Sequence, residues 1–236
     1  MLLPMLTRAW TRLLPLAAAG VVAGCGGAST HQTTPPVIRE SDHAPADYRV
    51  RTVAQDGFSI AFPRRWQVVN HYDVQNAPGI VSSLATIYPK LRNAVTAVGE
   101  PGSAVKLVGF DTRTARRTPT TVSVIVARAP RGPFATWTKT VVQGVRTGAA
   151  KGARVTQRSL QLPAGRALVL TYSRRVTGSR VTSAHAFVVR GGRLFIVTVT
   201  GASHVTTLLE RIARTLTVVA SPQGKDPGGI PDANTG

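Results

Sequence analysis

The sequence is poor in cysteine, acids, aromatics and long apolar runs. Across 236 residues there is one cysteine, ten acidic residues stand against 29 lysines and arginines, and aromatics make up 6%. A single cysteine excludes an internal disulfide framework and a cysteine-rich zinc site. Scarce aromatics argue against a nucleic-acid surface, which interleaves stacking rings with basic residues. Despite the net charge of +19, no block of five or more like charges occurs, so the simplest reading scatters the arginines over solvated strand faces. Lysine is also scarce: Lys90, Lys106, Lys139, Lys151 and Lys225 account for all of it, and the remaining cations are arginines. The densest groups are Arg64-Arg65, Arg113 with Arg116-Arg117, and Arg174-Arg175. A field of this sign favours anionic partners such as phospholipid head groups, glycolipids and wall polymers. With 43% hydrophobic residues, the chain is able to bury a core, and its wealth of valine and threonine leans toward β-structure.

The most apolar segment runs from Leu13 to Ala23, after a start that carries Arg8 and Arg12 and no acid. It is too short for a transmembrane helix, which needs ~20 apolar residues. A basic start, an apolar run and small residues before a cut are the marks of a secretory signal peptide. Val22-Ala23-Gly24-Cys25 resembles the bacterial lipobox. That resemblance implies removal of residues 1–24 and lipidation of Cys25. Two or three acyl chains anchor a protein stably, at ~0.8 kcal/mol per buried CH₂. The expected location is the cell membrane, lipid-anchored and facing the extracytoplasmic side.

Residues 25–47 and 221–236 are rich in small, polar and proline residues without apolar period. They read as a tether behind the lipidated cysteine and a disordered tail. Residues 48–220 read as one domain. Phe58–Phe62 alternates at strand period, Pro63 stops it, and Trp66–Val69 follows as a second strand. Ile80, Leu84, Ile87, Leu91 and Val95 recur at helical spacing over 79–97, with Pro89 expected to kink or divide that helix. Strands follow at 105–112 and 120–128. A helix is marked by Phe134, Trp137, Val141 and Val145, with Pro133 at its first turn. Four strands come next, over 154–162, 166–176, 180–190 and 193–200, joined by hairpin signals. A last helix spans 203–216, with Ser203 as its expected cap. The order ββ-α-ββ-α-ββββ-α makes an α+β domain: an antiparallel β-sheet with packed α-helices.

The stretch Asp56-Gly57-Phe58-Ser59-Ile60-Ala61-Phe62-Pro63-Arg64-Arg65-Trp66 resembles the first hairpin of the PsbP/Mog1-like family, where an alternating strand ends in proline and a tryptophan follows. Together with the element order, lipobox and polar tether, it is similar to the LpqN/LpqT-type lipoproteins of mycobacteria and other actinobacteria. The resemblance implies a binding or accessory module associated with envelope lipids and secretion, with no shared catalytic constellation. Phe58, Phe62 and Trp66 then map to core positions.

No G-x-S-x-G elbow, phosphate-binding loop or dinucleotide fingerprint occurs. His185 and His204 combine with Asp111 or Asp73 and many serines on paper, but no spacing selects a triad. His71 and Asp73 are spaced to share one strand face, and two ligands do not hold zinc. His31, Glu40, Asp42 and His43 fall in the tether. No catalytic residue, metal or cofactor is therefore expected, and Trp137 reads as core. An apolar ligand has a conceivable place in a groove under the 79–97 helix. The leading expectation is a non-catalytic envelope lipoprotein that binds an anionic lipid, a glycolipid or an envelope protein, and no nucleic acid. The alternatives are an envelope hydrolase with a Ser/His/Asp site and a purely structural assembly factor.

Overall fold

Two antiparallel sheets pack face to face because both are apolar on the sides they share. The computed structural model describes residues 44–77, 79–115, 119–176 and 178–218. The expected signal peptide, Cys25, most of the tether and the tail lie outside the described residues. The smaller sheet has the order β1-β2-β10, from β1 (Tyr48–Val53), β2 (Phe58–Pro63) and β10 (Thr217–Val218). The larger has seven strands in the order β3-β4-β5-β9-β8-β7-β6. These are β3 (Trp66–Asn70), β4 (Val105–Asp111), β5 (Thr121–Arg128), β6 (Thr156–Leu162), β7 (Gly165–Val176), β8 (Ser179–Arg190) and β9 (Arg193–Gly201). Five helices accompany them: α1 (His71–Asn76), α2 (Gly79–Ile87), α3 (Arg92–Gly99), α4 (Phe134–Thr147) and α5 (Val205–Arg214).

Strand alternation sends β7 to β9 residues to two different cores. Ala184, Ala186, Val188, Phe195, Val197 and Val199 face the smaller sheet and α5, where Phe58, Ile60, Phe62, Leu209 and Ile212 meet them. Leu168, Leu170, Phe187, Leu194 and Ile196 face the other way and are covered by Trp137, Val141 and Val145 of α4. On that same side α1 to α3 cover β3 and β4, with Leu84, Leu91, Val95 and Val98 packed on Val69, Val108 and Phe110. Burial of Phe58, Phe62, Trp66 and Trp137 agrees with their reading as core. Gly191 and Gly192, at φ 53° and 67°, supply the left-handed pair that a tight β8–β9 hairpin requires.

The expected α+β class and element order are present, with three additions: β1, α1 and β10. Pro89 divides the 79–97 helix, since its missing N–H and its ring interrupt the ladder; a 3₁₀ turn over Pro89–Leu91 joins α2 to α3. Beneath this helix, where a groove is conceivable from sequence, Leu84, Leu91, Val95 and Val98 belong to one cluster with the sheet residues Val69, Val108 and Phe110. Among the described residues, no helix is long and apolar enough to cross a membrane.

Candidate functional site

Antiparallel pairing decides which loops share an end of the larger sheet. Trp66 stands opposite Asp111, Thr121 opposite Thr200, and Thr182 opposite Gly201. The β2–β3 turn, the β4–β5 connection, the β7–β8 hairpin and the entry to α5 therefore emerge together. They bring Arg64-Arg65, Arg113 and Arg174-Arg175, the clusters far apart in sequence, to one end. Arg180 joins them opposite Arg175; Arg116 and Arg117 lie outside the described residues. At the other end, arginines serve packing: Arg166 stands 4.5 Å from the Phe134 ring centre and Arg193 stands 5.3 Å from that of Phe195.

At the arginine-rich end a cleft of about 470 Å³ opens between the β2–β3 corner and α5. Its lining includes Tyr48, Arg65, Trp66, Asp111, His204 and Arg211. Asp111 is largely buried and already engaged: its Oδ1 accepts the Arg113 backbone N–H at 3.1 Å, and Arg65 Nε lies 3.9 Å away. Burial raises the Tyr48 phenol above its usual pKa, opposed by the Arg211 guanidinium beside it, so Tyr48 presents a neutral hydroxyl. A second depression of about 350 Å³ lies alongside, lined by Arg180, Thr182 and Ser203–Thr207.

His204 borders both depressions. At φ 54° and ψ 19° it is the one non-glycine residue with positive φ among the described residues. It occupies the N-cap of α5, where no side chain caps the first turn. Ser203, the cap expected from sequence, is displaced from that position because the left-handed turn falls one residue later. The leading N–H groups of α5 thus stay uncapped at the positive end of the helix dipole. A left-handed non-glycine residue costs ~1–2 kcal/mol. His204→Gly is expected to raise stability by about 1 kcal/mol, or ~3 °C in melting temperature. Thermal denaturation of the full chain checks this; an unchanged or lower midpoint would show that the backbone is not strained there.

The other sequence candidates are elsewhere. His71 and Asp73 do not share a strand face. Asn70 Oδ1 accepts the Asp73 N–H at 2.8 Å and starts α1, so two residues of separation put them on different sides of a helix. His71 is buried with Nδ1 2.7 Å from the Val98 carbonyl, whereas Asp73 is exposed. His185 is on β8 but deeply buried, 2.9 Å from Thr198 Oγ1 and 3.4 Å from the Tyr172 hydroxyl. Burial lowers its pKa to about 4, which suits neither a base nor an anion ligand at neutral pH. Of the three histidines only His204 reaches the cleft, together with Ser203 and Asp111. No hydrogen bond among the described residues links it to either. No group of three His, Cys, Asp or Glu among the described residues is placed to hold a metal. The sequence reading missed Tyr48, Arg180 and Arg211. Arg211 lies seven residues after His204, two turns along the same helix face, which is a readable signal.

No family model and no curated protein matches the chain. Among solved structures it is similar to CyanoP, the cyanobacterial PsbP of Synechocystis, at TM-score 0.46 and 16% identity over 85% of this chain and 100% of that one. It is also similar to LpqN of Mycobacterium tuberculosis, a protein involved in cell envelope biogenesis, at TM-score 0.42 and 14% identity over 68% of this chain and 82% of that one. A third likeness is to a protein from Bacteroides thetaiotaomicron, at TM-score 0.40 and 12% identity over 69% of this chain and 45% of that one.

Proposed function

We propose that this chain is a non-catalytic accessory module of the cell envelope, held at the membrane by a lipid on Cys25. Its arginine-rich end binds the anionic head group of an envelope lipid or glycolipid. One observation carries the reading: the register gathers the dispersed arginine clusters at one end of the sheet, where Arg65 and Arg211 line a cleft with Trp66 and Tyr48 and Arg180 lines the depression beside it. The cleft volume of about 470 Å³ lies within the range of small-molecule sites. Arg65, Arg180 and Arg211 are donors suited to phosphate or carboxylate oxygens, since a guanidinium offers a planar fork. The uncapped start of α5 adds N–H donors of the same polarity. Among the described residues the cleft has two carboxylates, Asp47 and Asp111; neither is hydrogen-bonded to His204, and Asp111 is committed to the Arg113 N–H and to Arg65. That favours binding over hydrolysis.

The test uses water-soluble, short-chain lipids. The detergent-solubilised full chain is titrated calorimetrically with dihexanoyl phosphatidylinositol and with dihexanoyl phosphatidylcholine. The anionic lipid is expected to bind at least ~10-fold more tightly, with the difference shrinking in high salt. The double variant Arg65→Gln/Arg180→Gln is expected to lose about 10-fold in affinity for the anionic lipid, on the scale of a charge-assisted hydrogen bond. Equal binding of the two lipids would overturn the proposal, as would a double variant that binds like the parent.

A further inference from the structure

The described residues leave two large apolar side chains exposed, Ile80 at 36% and Ile87 at 53%. Both lie on α2. Seven residues is close to two helical turns, so the two side chains project from the same face. Val81 and Leu84 of this helix pack inward, against the core formed with Val98 and Phe110. The stretch from Val74 to Gly99 contains no acid, and Lys90 and Arg92 follow Ile87 closely. Arg92 is exposed, as are Pro89 and Ser83.

An apolar pair with a cationic rim suits one kind of surface best: the boundary between acyl chains and anionic head groups. A second copy of this chain docked on the same face would bring two sets of cations, and no acid from the 74–99 stretch, into one interface. The net charge of +19 adds a general pull toward an anionic bilayer. We infer that α2 is a membrane contact: Ile80 and Ile87 enter the acyl boundary of an anionic leaflet while Lys90 and Arg92 sit among its head groups. This inference takes from the proposed function only its setting at a membrane and does not depend on the cleft.

The experiment reconstitutes the full chain into vesicles of phosphatidylcholine with one third phosphatidylglycerol. The lipids are brominated near the glycerol end of their acyl chains. Ile87→Trp and Ile80→Trp are compared with Thr140→Trp, at an exposed position on α4. Of the three native tryptophans, Trp66 and Trp137 are buried at 7% and 5% exposure and Trp10 lies outside the described residues; all three are common to every variant, so the parent chain supplies the baseline for subtraction. Flotation tests the setting and quenching tests the contact. The added fluorescence of Ile87→Trp or Ile80→Trp is expected to be quenched at least ~3-fold more than that of Thr140→Trp, with an emission blue shift of about 10 nm, as an interfacial aromatic should be. Replacing phosphatidylglycerol by phosphatidylcholine is expected to abolish the difference. Equal quenching at positions 80, 87 and 140 in a chain that floats overturns the contact alone. A difference that survives without phosphatidylglycerol overturns its anionic basis. A chain that does not float overturns the setting and the contact together. Unchanged melting of each variant in detergent confirms that the fold is intact.

Discussion

Gly109→Val is expected to destabilise the fold by about 3 kcal/mol, because an added side chain collides with a ring that has nowhere to go. Gly109 lies on β4 between Val68 of β3 and Val122 of β5. A Cβ there would stand 3.0 Å from both Cδ1 and Cε1 of Phe62 and 3.5 Å from Cε3 of Trp66. Valine adds two methyl groups beyond that Cβ. Phe62 is among the most completely buried side chains, in the core that joins the two sheets. At interior packing density it cannot yield without displacing its neighbours. Phe62→Ala alone is expected to cost about 4 kcal/mol through the cavity it leaves. Combined, the two changes are expected to cost at least ~1 kcal/mol less than their sum, since the valine fills space that the ring vacates. Urea denaturation of the parent, both single variants and the double variant measures this coupling. Strict additivity would show that the ring contact is not what glycine is there for. Because Pro63, Arg64 and Arg65 follow Phe62 directly, the contact also sets how the β2–β3 corner overhangs the cleft.

Acidification from pH 7 to pH 4 is expected to remove about 3 kcal/mol of stability through His185 alone. Burial lowers its folded-state pKa from the ordinary 6.5 to about 4. The unfolded chain therefore binds a proton in a range where the folded chain does not. The contribution is fully present above pH ~6.5 and is lost as pH falls toward 4. The Thr198 hydroxyl at 2.9 Å and the stacked Tyr172 and Phe187 rings, with centres 5.5 and 6.0 Å away, hold a neutral imidazole. His185→Gln keeps a polar side chain without a titrating proton. Denaturation midpoints of parent and variant at several pH values isolate the effect, because the carboxylates titrate alike in both. The difference is expected to narrow steadily between pH 6.5 and 4.5, with the parent losing more. A parallel pair of curves would show that His185 is already charged, or solvated, in the folded state.

Much of the fold was legible because local signals agreed with the tertiary outcome. β7, β8 and β9 carry near-continuous apolar runs because both of their faces are buried, and glycines at positive φ stand at the connecting hairpins. Pro89 divides its helix for a reason visible in one residue. The elements that sequence reading missed are those whose existence depends on distant partners. β10 is two residues long and is defined by pairing with Ser59 and Phe58. β1 carries arginines at positions 49 and 51 amid weak alternation, and β2 alone holds it in its sheet. α1 has six residues, too few to show a period, although Asn70 with Asp73 three residues later was a readable start. The candidate site was legible only in pieces. The arginine clusters are plain in the sequence, but their convergence follows from strand register, which no local pattern encodes. Tyr48 and Arg211 join the cleft from opposite ends of the domain.

The pairing of β2 with β10 also bears on the order in which the molecule comes into being. Ser59 and Thr217 are partners, and the Ala61 N–H donates to Thr215 Oγ1 at 2.8 Å. A ribosome adding ~5–20 residues per second makes these partners about ten to thirty seconds apart. Until the last helix and strand emerge, the apolar inner face of β2 has neither α5 nor β10 to cover it. The nascent chain therefore spends most of its synthesis without a complete core. Contacts of such long sequence separation also slow the final collapse. Closure of the domain waits on residues 215–218, as the Ala61 N–H meets its Thr215 partner across a separation of 154 residues.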